Sequence, residues 1–329
     1  MIMATIKDVA KYAGVSVATV SRVLNKKEPL TEKTIKKVED AIEALGYYPN
    51  MYARTLVGGK NDTLGVILSS FNNPFFAELA QELERVAKER EYNILFTAAG
   101  GDFDEKMAAT EYLLSRQVAG IIFSTYVDPD NEMKIRERCK VPFVNLLHPL
   151  SDTYSVYSDD RQGGILAARH LFAKGCKKVV HISAQTTVYK FADERTYTFV
   201  RECEKLGIDC KVYQNEYEVS NLTGIRELIN RIFYENRDID GMFLSNDILA
   251  AQCVAYALSQ GYRIPDDIRI MGYDGIYITS LIYPTLTTVQ QNFTKLAESA
   301  VDTVINLIQG KETPKEILVP VELIERKTT

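Results

Sequence analysis

Two patterns of apolar and polar positions divide this chain. Near the start, apolar residues recur at helical spacing in short bursts. Thr5 and Asp8, a hydroxyl followed three residues later by an acid, predict a capping box. A short helix through Val9, Ala10 and Ala13 follows, and Gly14 stops it. Ser16 then caps a second helix with Val20, Val23 and Leu24 on one face, and only three or four residues separate the two. A third helix starts after Thr31, with the stripe Ile35, Val38, Ile42 and Leu45, and ends at Gly46. Each is too short to be stable alone; packed together they bury one small core.

From Leu64 the pattern changes to short apolar runs alternating with helices. Strands are predicted at Leu64–Leu68, Asn93–Thr97, Gly120–Phe123, Lys178–Ile182, Gly241–Leu244 and Ile268–Met271. Helical stretches fall at Phe76–Ala87, near Glu105–Arg116, from the Gly163-Gly164 pair to Ala173, at Glu194–Leu206 and at Ile248–Gln260. Such alternation builds parallel sheets covered on both faces, and about 265 residues of it exceed one lobe. In open α/β sheets the carboxyl ends of the strands hold ligands, so the cleft between two lobes is the expected pocket.

Charge sharpens the division. The net charge is −5, yet residues 1–60 carry ten Lys and Arg against six Asp and Glu, leaving +4 on the head and −9 on the rest. A small basic head on an acidic body suits contact with DNA at one end. The outward face of the second helix offers Val17 and Ala18 for thymine methyls, Ser21, and Arg22 for guanine in the major groove. The five cysteines lack CxxC pairing and read as reduced thiols, and the three scattered histidines support no metal site. With no apolar run of about 18 residues and no leader-like start, neither secretion nor a membrane span is expected, and the chain is assigned to the cytoplasm. No P-loop, dinucleotide fingerprint or GxSxG elbow is present, so no enzyme and no cofactor is expected.

The stretch Thr5–Ala10 and Gly14–Asn25, with Leu45-Gly46-Tyr47-Tyr48-Pro49-Asn50 and Ala53-Arg54-Thr55-Leu56, strongly resembles the head of the lactose-repressor (LacI) family of bacterial regulators. The resemblance extends over essentially the whole chain. It implies a fold of an all-α helix-turn-helix head plus an α/β two-lobed, periplasmic-binding-protein-like core. The head would span 4–50 and a hinge helix or linker 51–61. The core would span 62–329, with an N-lobe of about 62–162 and 292–322 and a C-lobe of about 163–291 and 323–329. In this family the hinge folds on the operator, and a leucine wedges into the minor groove at a central CpG; Leu56 holds that place. The residues expected at DNA are Thr5, Ser16, Val17, Ala18, Thr19, Ser21, Arg22, Asn25, Asn50, Arg54 and Leu56.

The same resemblance implies an effector pocket. Asn73, Phe75 and Phe76 match residues that face the ligand from the first lobe. Arg195 matches the pocket arginine, and Asn246, Asp274 and Gln291 match further polar contacts. Tyr217 stands where an aromatic often closes over the ligand. Where many sugar-responsive relatives carry an acid, this chain has Leu147-His148, and Thr198 replaces a usual glycine. An aromatic face, an arginine and a carboxylate are the chemistry for a sugar. Plainer readings stand beside these: Phe75 and Phe76 as helix core, Asn246 and Asp274 as helix caps, and Arg195 in a surface ion pair.

The implied function is a homodimeric repressor of a carbohydrate-utilisation operon. Its partners would be a pseudo-palindromic operator and a small sugar-like effector. The alternatives are a catabolite-control regulator with a phosphocarrier co-repressor, a nucleobase-responsive repressor and, outside regulation, a solute-binding protein.

Overall fold

The structure is a computed structural model that describes residues 4–25, 30–47, 61–149, 152–183, 194–217 and 221–329. It forms two compact units, 1–61 and 62–329.

In the first unit, α1 (Ile6–Ala13), α2 (Val17–Asn25) and α3 (Glu32–Leu45) pack around Val9, Ala10, Ala13, Val20, Val38 and Ala41. The caps follow the sequence. Thr5 and Asp8 form the reciprocal capping box, and Gly14 and Gly46 end α1 and α3 in the left-handed conformation. The Ser16 hydroxyl accepts from the Thr19 amide at 3.1 Å, as a helix cap does.

The second unit holds β1 (Thr63–Leu68), α4 (Pro74–Glu89), β2 (Asn93–Ala98), α5 (Phe103–Ser115), β3 (Gly120–Ser124), α6 (Pro129–Arg138), β4 (Phe143–Leu146) and β5 (Tyr154–Ser158). Then come α7 (Asp160–Ala173), β6 (Lys178–Ser183), α8 (Glu194–Leu206), β7 (Asp209–Gln214), α9 (Leu222–Glu235), β8 (Gly241–Leu244) and α10 (Asp247–Ser259). The chain closes with β9 (Arg269–Asp274), α11 (Ile278–Leu281), β10 (Thr287–Gln290), α12 (Phe293–Ile308), β11 (Glu316–Val319) and β12 (Glu322–Ile324).

Among the described residues these strands make two six-stranded sheets, ordered β11-β5-β4-β3-β1-β2 and β12-β10-β9-β8-β6-β7. The ladders are parallel except for β12, which runs antiparallel to β10. The chain passes between the lobes after β5, after β10 and after β11. The N-lobe core lies under α4 and α12, around Leu64, Val66, Leu79, Leu83, Val301 and Val304.

One predicted boundary is corrected. The helix placed after Gly163-Gly164 begins at Asp160, capped by Asp159, and the glycine pair lies inside it. A Cβ on Gly164 would stand 2.4 Å from the Arg195 carbonyl oxygen and 2.8 Å from the Phe199 amide nitrogen. The glycine is there so that α7 and α8 can touch backbone to backbone, which a pattern of helix breakers does not reveal.

Candidate functional site

The first turn of α8 sets the geometry of the cleft. His181, fully buried on β6, bonds the Thr196 hydroxyl through Nε2 at 2.8 Å and the Phe243 carbonyl through Nδ1 at 2.8 Å. Next to Thr196, the Arg195 guanidinium lies over the Tyr273 ring, 3.2 Å from its centroid. Its Nη2 and Nε donate to Asp160 Oδ1 at 2.8 and 3.3 Å, and Nη1 donates to the Ser245 carbonyl at 2.5 Å. Tyr273 donates its hydroxyl to the same Asp160 oxygen at 2.6 Å. The ion pair of the plainer reading is present, with the arginine side chain 14 % and the Asp160 side chain 36 % exposed, so its arginine is largely buried.

Asp274 ends β9 with φ at +113°, a strained value for a residue with a Cβ. Two bonds hold the strain: Asp247 Oδ2 accepts from the Gly275 and Ile276 amides at 2.7 and 2.9 Å. Asp247 Oδ1 takes the Thr288 hydroxyl at 2.6 Å, and burial pushes this carboxyl up to about 7. Burial likewise drives the Asp274 carboxyl well above the usual carboxylate range, with Arg195 opposing. Asp274 Oδ1 accepts from Gln291 Nε2 at 2.7 Å, and Gln291 Oε1 accepts from the Ser158 hydroxyl at 2.6 Å. A buried polar chain thus runs from the end of β9 to the end of β5, one lobe to the other.

The lobes also meet through apolar groups. Ile276 is fully buried in the N-lobe core, with Ile248 and Ile278 packed beside it, and the Tyr277 amide donates to Glu78 at 3.0 Å. Phe75 is buried in that core, edge-on to Phe76 at 5.1 Å and tilted against Phe293 at 5.3 Å. For Phe75 the helix-core reading holds. Asn73 caps α4 through the Phe75 amide, and Asn246 caps α10 through the Leu249 amide. Among the described residues Asp274 caps no helix, and its carboxyl accepts from Gln291.

The Tyr217 ring lies on Gly224 of α9, where an added Cβ would stand 2.5 Å from Tyr217 Cδ1. It packs with the C-lobe core formed by residues such as Ile225 and Leu228. The structure therefore gathers Arg195, Asp274 and Gln291 and does not bring Tyr217 to them. A groove of about 770 Å³ between α9 and α10, lined by Leu222, Arg226, Gln252 and Tyr256, is separate from all three.

His148 stands half-buried, edge-on to Tyr126 at 5.6 Å and within electrostatic reach of Asp160 and Arg195. Burial pushes its imidazole down to about 4, Asp160 opposing and Arg195 reinforcing. A depressed histidine contributes stability that is full above its unfolded pKa near 6.5 and is lost as pH falls through about 4. The melting temperature is therefore expected to fall between pH 6.5 and pH 4, and His148→Gln should flatten that slope. Identical profiles for parent and variant in a pH series of thermal melts would contradict this.

Sequence reasoning missed Asp160, Asp247 and Ser158. Asp160 and Ser158 border the interlobe crossing, and Asp247 directly follows a residue that was picked. Ser158 ends β5, and Asp160 and Asp247 open α7 and α10 just beyond β5 and β8, near the carboxyl ends of strands where ligands sit. In the head, Val17, Ala18 and Arg22 are exposed on α2, and Ser21 is partly so. Thr19 bonds Ser16. Asn50, Arg54, Leu56, the hinge 51–60 and the Asn25 side chain lie outside the described residues.

A helix-turn-helix head with small apolar and basic groups exposed on its second helix, joined to a two-lobed core with a polar cleft, defines a DNA-binding transcriptional regulator with an effector-binding core. The chain belongs to the LacI family of bacterial regulatory proteins. Residues 5–50 match that family, and residues 168–329 match the periplasmic binding protein-like domain. The ribose operon repressor of Halalkalibacterium halodurans is 32 % identical, covering 99 % of this chain and 97 % of its own. The sucrose operon repressor of Streptococcus mutans is 31 % identical over 98 % of both, and the repressor PurR of Mannheimia succiniciproducens 30 % over 99 % and 98 %. Among solved structures, the lac repressor dimer bound to operator and the anti-inducer ONPF aligns with a TM-score of 0.89, at 27 % identity over 99 % of each chain. A periplasmic binding protein/LacI transcriptional regulator from Alkaliphilus metalliredigens complexed with D-xylulofuranose aligns with a TM-score of 0.71, at 29 % identity over 82 % of this chain and 99 % of its own. No described helix is long and apolar enough to cross a membrane.

Proposed function

We propose that this regulator is a cytoplasmic, homodimeric repressor of a carbohydrate-utilisation operon, switched by a sugar-like effector in the interlobe cleft. The observation that carries the reading is the buried set Arg195, Asp274 and Gln291, joined through Ser158 to the other lobe. A ligand seated against this set changes the contacts between lobes and therefore favours one lobe arrangement. Coupling of a few kcal/mol between effector and operator is enough for a switch. Relatives named for ribose and sucrose operons, and the neighbour carrying D-xylulofuranose, support a sugar. The PurR relatives support a nucleobase effector as the second reading. The head is taken as 4–50, the hinge as 51–61 with Leu56 as a minor-groove wedge, and the core as 62–329 with no catalytic role.

A chain starting at Asn61 is expected to keep effector binding and lose operator binding. Operator affinity of the full chain should fall steeply with salt, because phosphate neutralisation releases counterions. Fluorescence anisotropy on a pseudo-palindromic operator reads both. A truncated chain that still shifts the operator sinks the assignment of the head.

A further inference from the structure

The charges around Arg195 say more than that a polar ligand fits. An arginine grips a phosphate or carboxylate through its forked donor edges. Here the Nε and Nη2 edge is taken by Asp160 Oδ1, Nη1 gives one of its two N–H groups to the Ser245 carbonyl, and one face lies on the Tyr273 ring. Asp160 Oδ1 takes three donors in all, the Tyr273 hydroxyl being the third. Its other oxygen takes no hydrogen bond among the described residues, and the side chain is 36 % exposed. The side-on fork of the arginine is therefore already engaged, and beside it stands the second oxygen of a carboxylate.

The neighbours do not reverse this. His148 is uncharged at neutral pH, because burial holds its imidazole near 4. Asp274 is a second acid, fully enclosed and bonded to Gln291. The buried hydroxyl of Ser245, beside the carbonyl that holds Arg195, has no partner among the described residues and carries no charge.

We propose that Asp160 is the charge filter of this cleft: it occupies the donor edge of Arg195 and offers its second oxygen to a ligand hydroxyl. The cleft then admits uncharged, hydroxyl-rich molecules and turns away phosphorylated or carboxylated ones. The inference rests on the cleft being the effector site. Asp160 touches the ligand through one oxygen and positions Arg195 through the other, so it sets specificity as well as affinity. A bound anion would face Asp160 with the charge of Arg195 already paired, and it would lose hydration without gaining the side-on Nε and Nη2 fork.

The test is calorimetric titration of the full chain and of Asp160→Asn with D-ribose 5-phosphate and inorganic phosphate. The asparagine keeps an acceptor for Arg195 and removes the charge. The parent is expected to bind neither anion measurably, and the variant to bind the sugar phosphate at least about tenfold more tightly. Asp160→Ser, lacking both charge and amide, should show the same reversal. A parent that binds either anion as well as the variants overturns the filter, and so do variants that gain nothing. In parallel, the change in operator affinity caused by D-ribose, D-glucose and sucrose is measured on the parent. A change, of either sign, with one of these sugars and no gain of anions in the variants discards the filter and leaves the effector reading standing. No change with any of the three sugars or with the sugar phosphate removes the effector reading itself.

Discussion

Gly164→Ala is expected to lower the melting temperature by several degrees and to weaken effector binding with it. Two effects compete. Alanine is the better helix former by about 1 kcal/mol, which alone would stabilise α7. Against this, the added methyl would stand 2.3 Å from the Thr198 hydroxyl, 2.4 Å from the Arg195 carbonyl oxygen and 2.8 Å from the Phe199 amide nitrogen. Two of those atoms are backbone and cannot swing away, and the Thr198 hydroxyl is already bonded to the Glu194 carbonyl at 2.6 Å. Overpacking of this kind costs about 1–3 kcal/mol and sometimes more, so the clash wins. The relief available is a shift of α8 away from α7, which moves Arg195 relative to Asp160 on α7. Thermal melts and effector titrations on the full chain check both parts. A melting temperature at or above the parent's would mean that the two helices are not in backbone contact.

The second large effect is expected from Arg195→Ala. The substitution removes charged hydrogen bonds to Asp160 and Ser245 and the stack on Tyr273. Asp160 then loses the arginine donors that hold it for the effector; with a hydrogen bond to a charged group worth about 1.5–3 kcal/mol, effector affinity should fall by tens-fold through the misplaced Asp160. The folded chain should survive, because Asp160 keeps the Tyr273 hydroxyl and part of its exposure to water. The variant is then a regulator held in its effector-free state. It represses permanently if the effector is an inducer and never represses if the effector is a co-repressor. Operator affinity of the unliganded variant should stay within about twofold of the parent's, since the head and its caps are untouched. A normal effector response in this variant would return Arg195 to a purely structural role.

The head was the most legible part of the chain. Caps at Thr5 and Ser16 and stops at Gly14 and Gly46 are local chemistry, written within four residues of where they act. The alternation of the core was legible where strands are buried runs, as in β1, β3 and β8. It did not reach β4, β5, β7, β10, β11 and β12: Asn145 breaks the apolar run of β4, and β7 is an edge strand with mostly exposed residues and no apolar run. The helical periods of α9 and α12 were available and passed over.

The cleft was legible residue by residue but not as a network. Arg195, Asp274 and Gln291 carry side chains whose chemistry suggests a pocket. Asp160 and Asp247 look in the sequence like any acids at helix starts. Their partners Tyr273, Thr288 and Gly275 lie between 28 and 113 positions away, and only folding brings them together. The assignment of Phe75 to a ligand face was legible as a resemblance, whereas its burial against Phe293 depends on a helix more than 200 residues downstream.

The way the chain returns also governs how this protein is born. β11 completes the first sheet beside β5, β12 completes the second beside β10, and α12 fills the core of the lobe that was begun first. Neither lobe can close before β11 and β12 have left the ribosome. The head, built from neighbours in sequence, has its internal contacts once residue 61 has emerged. During synthesis the DNA-reading helices are therefore complete well before the cleft that regulates them. A stalled or prematurely ended chain would leave a finished reader with two unfinished sheets, whose bare edges and apolar faces invite aggregation or proteolysis.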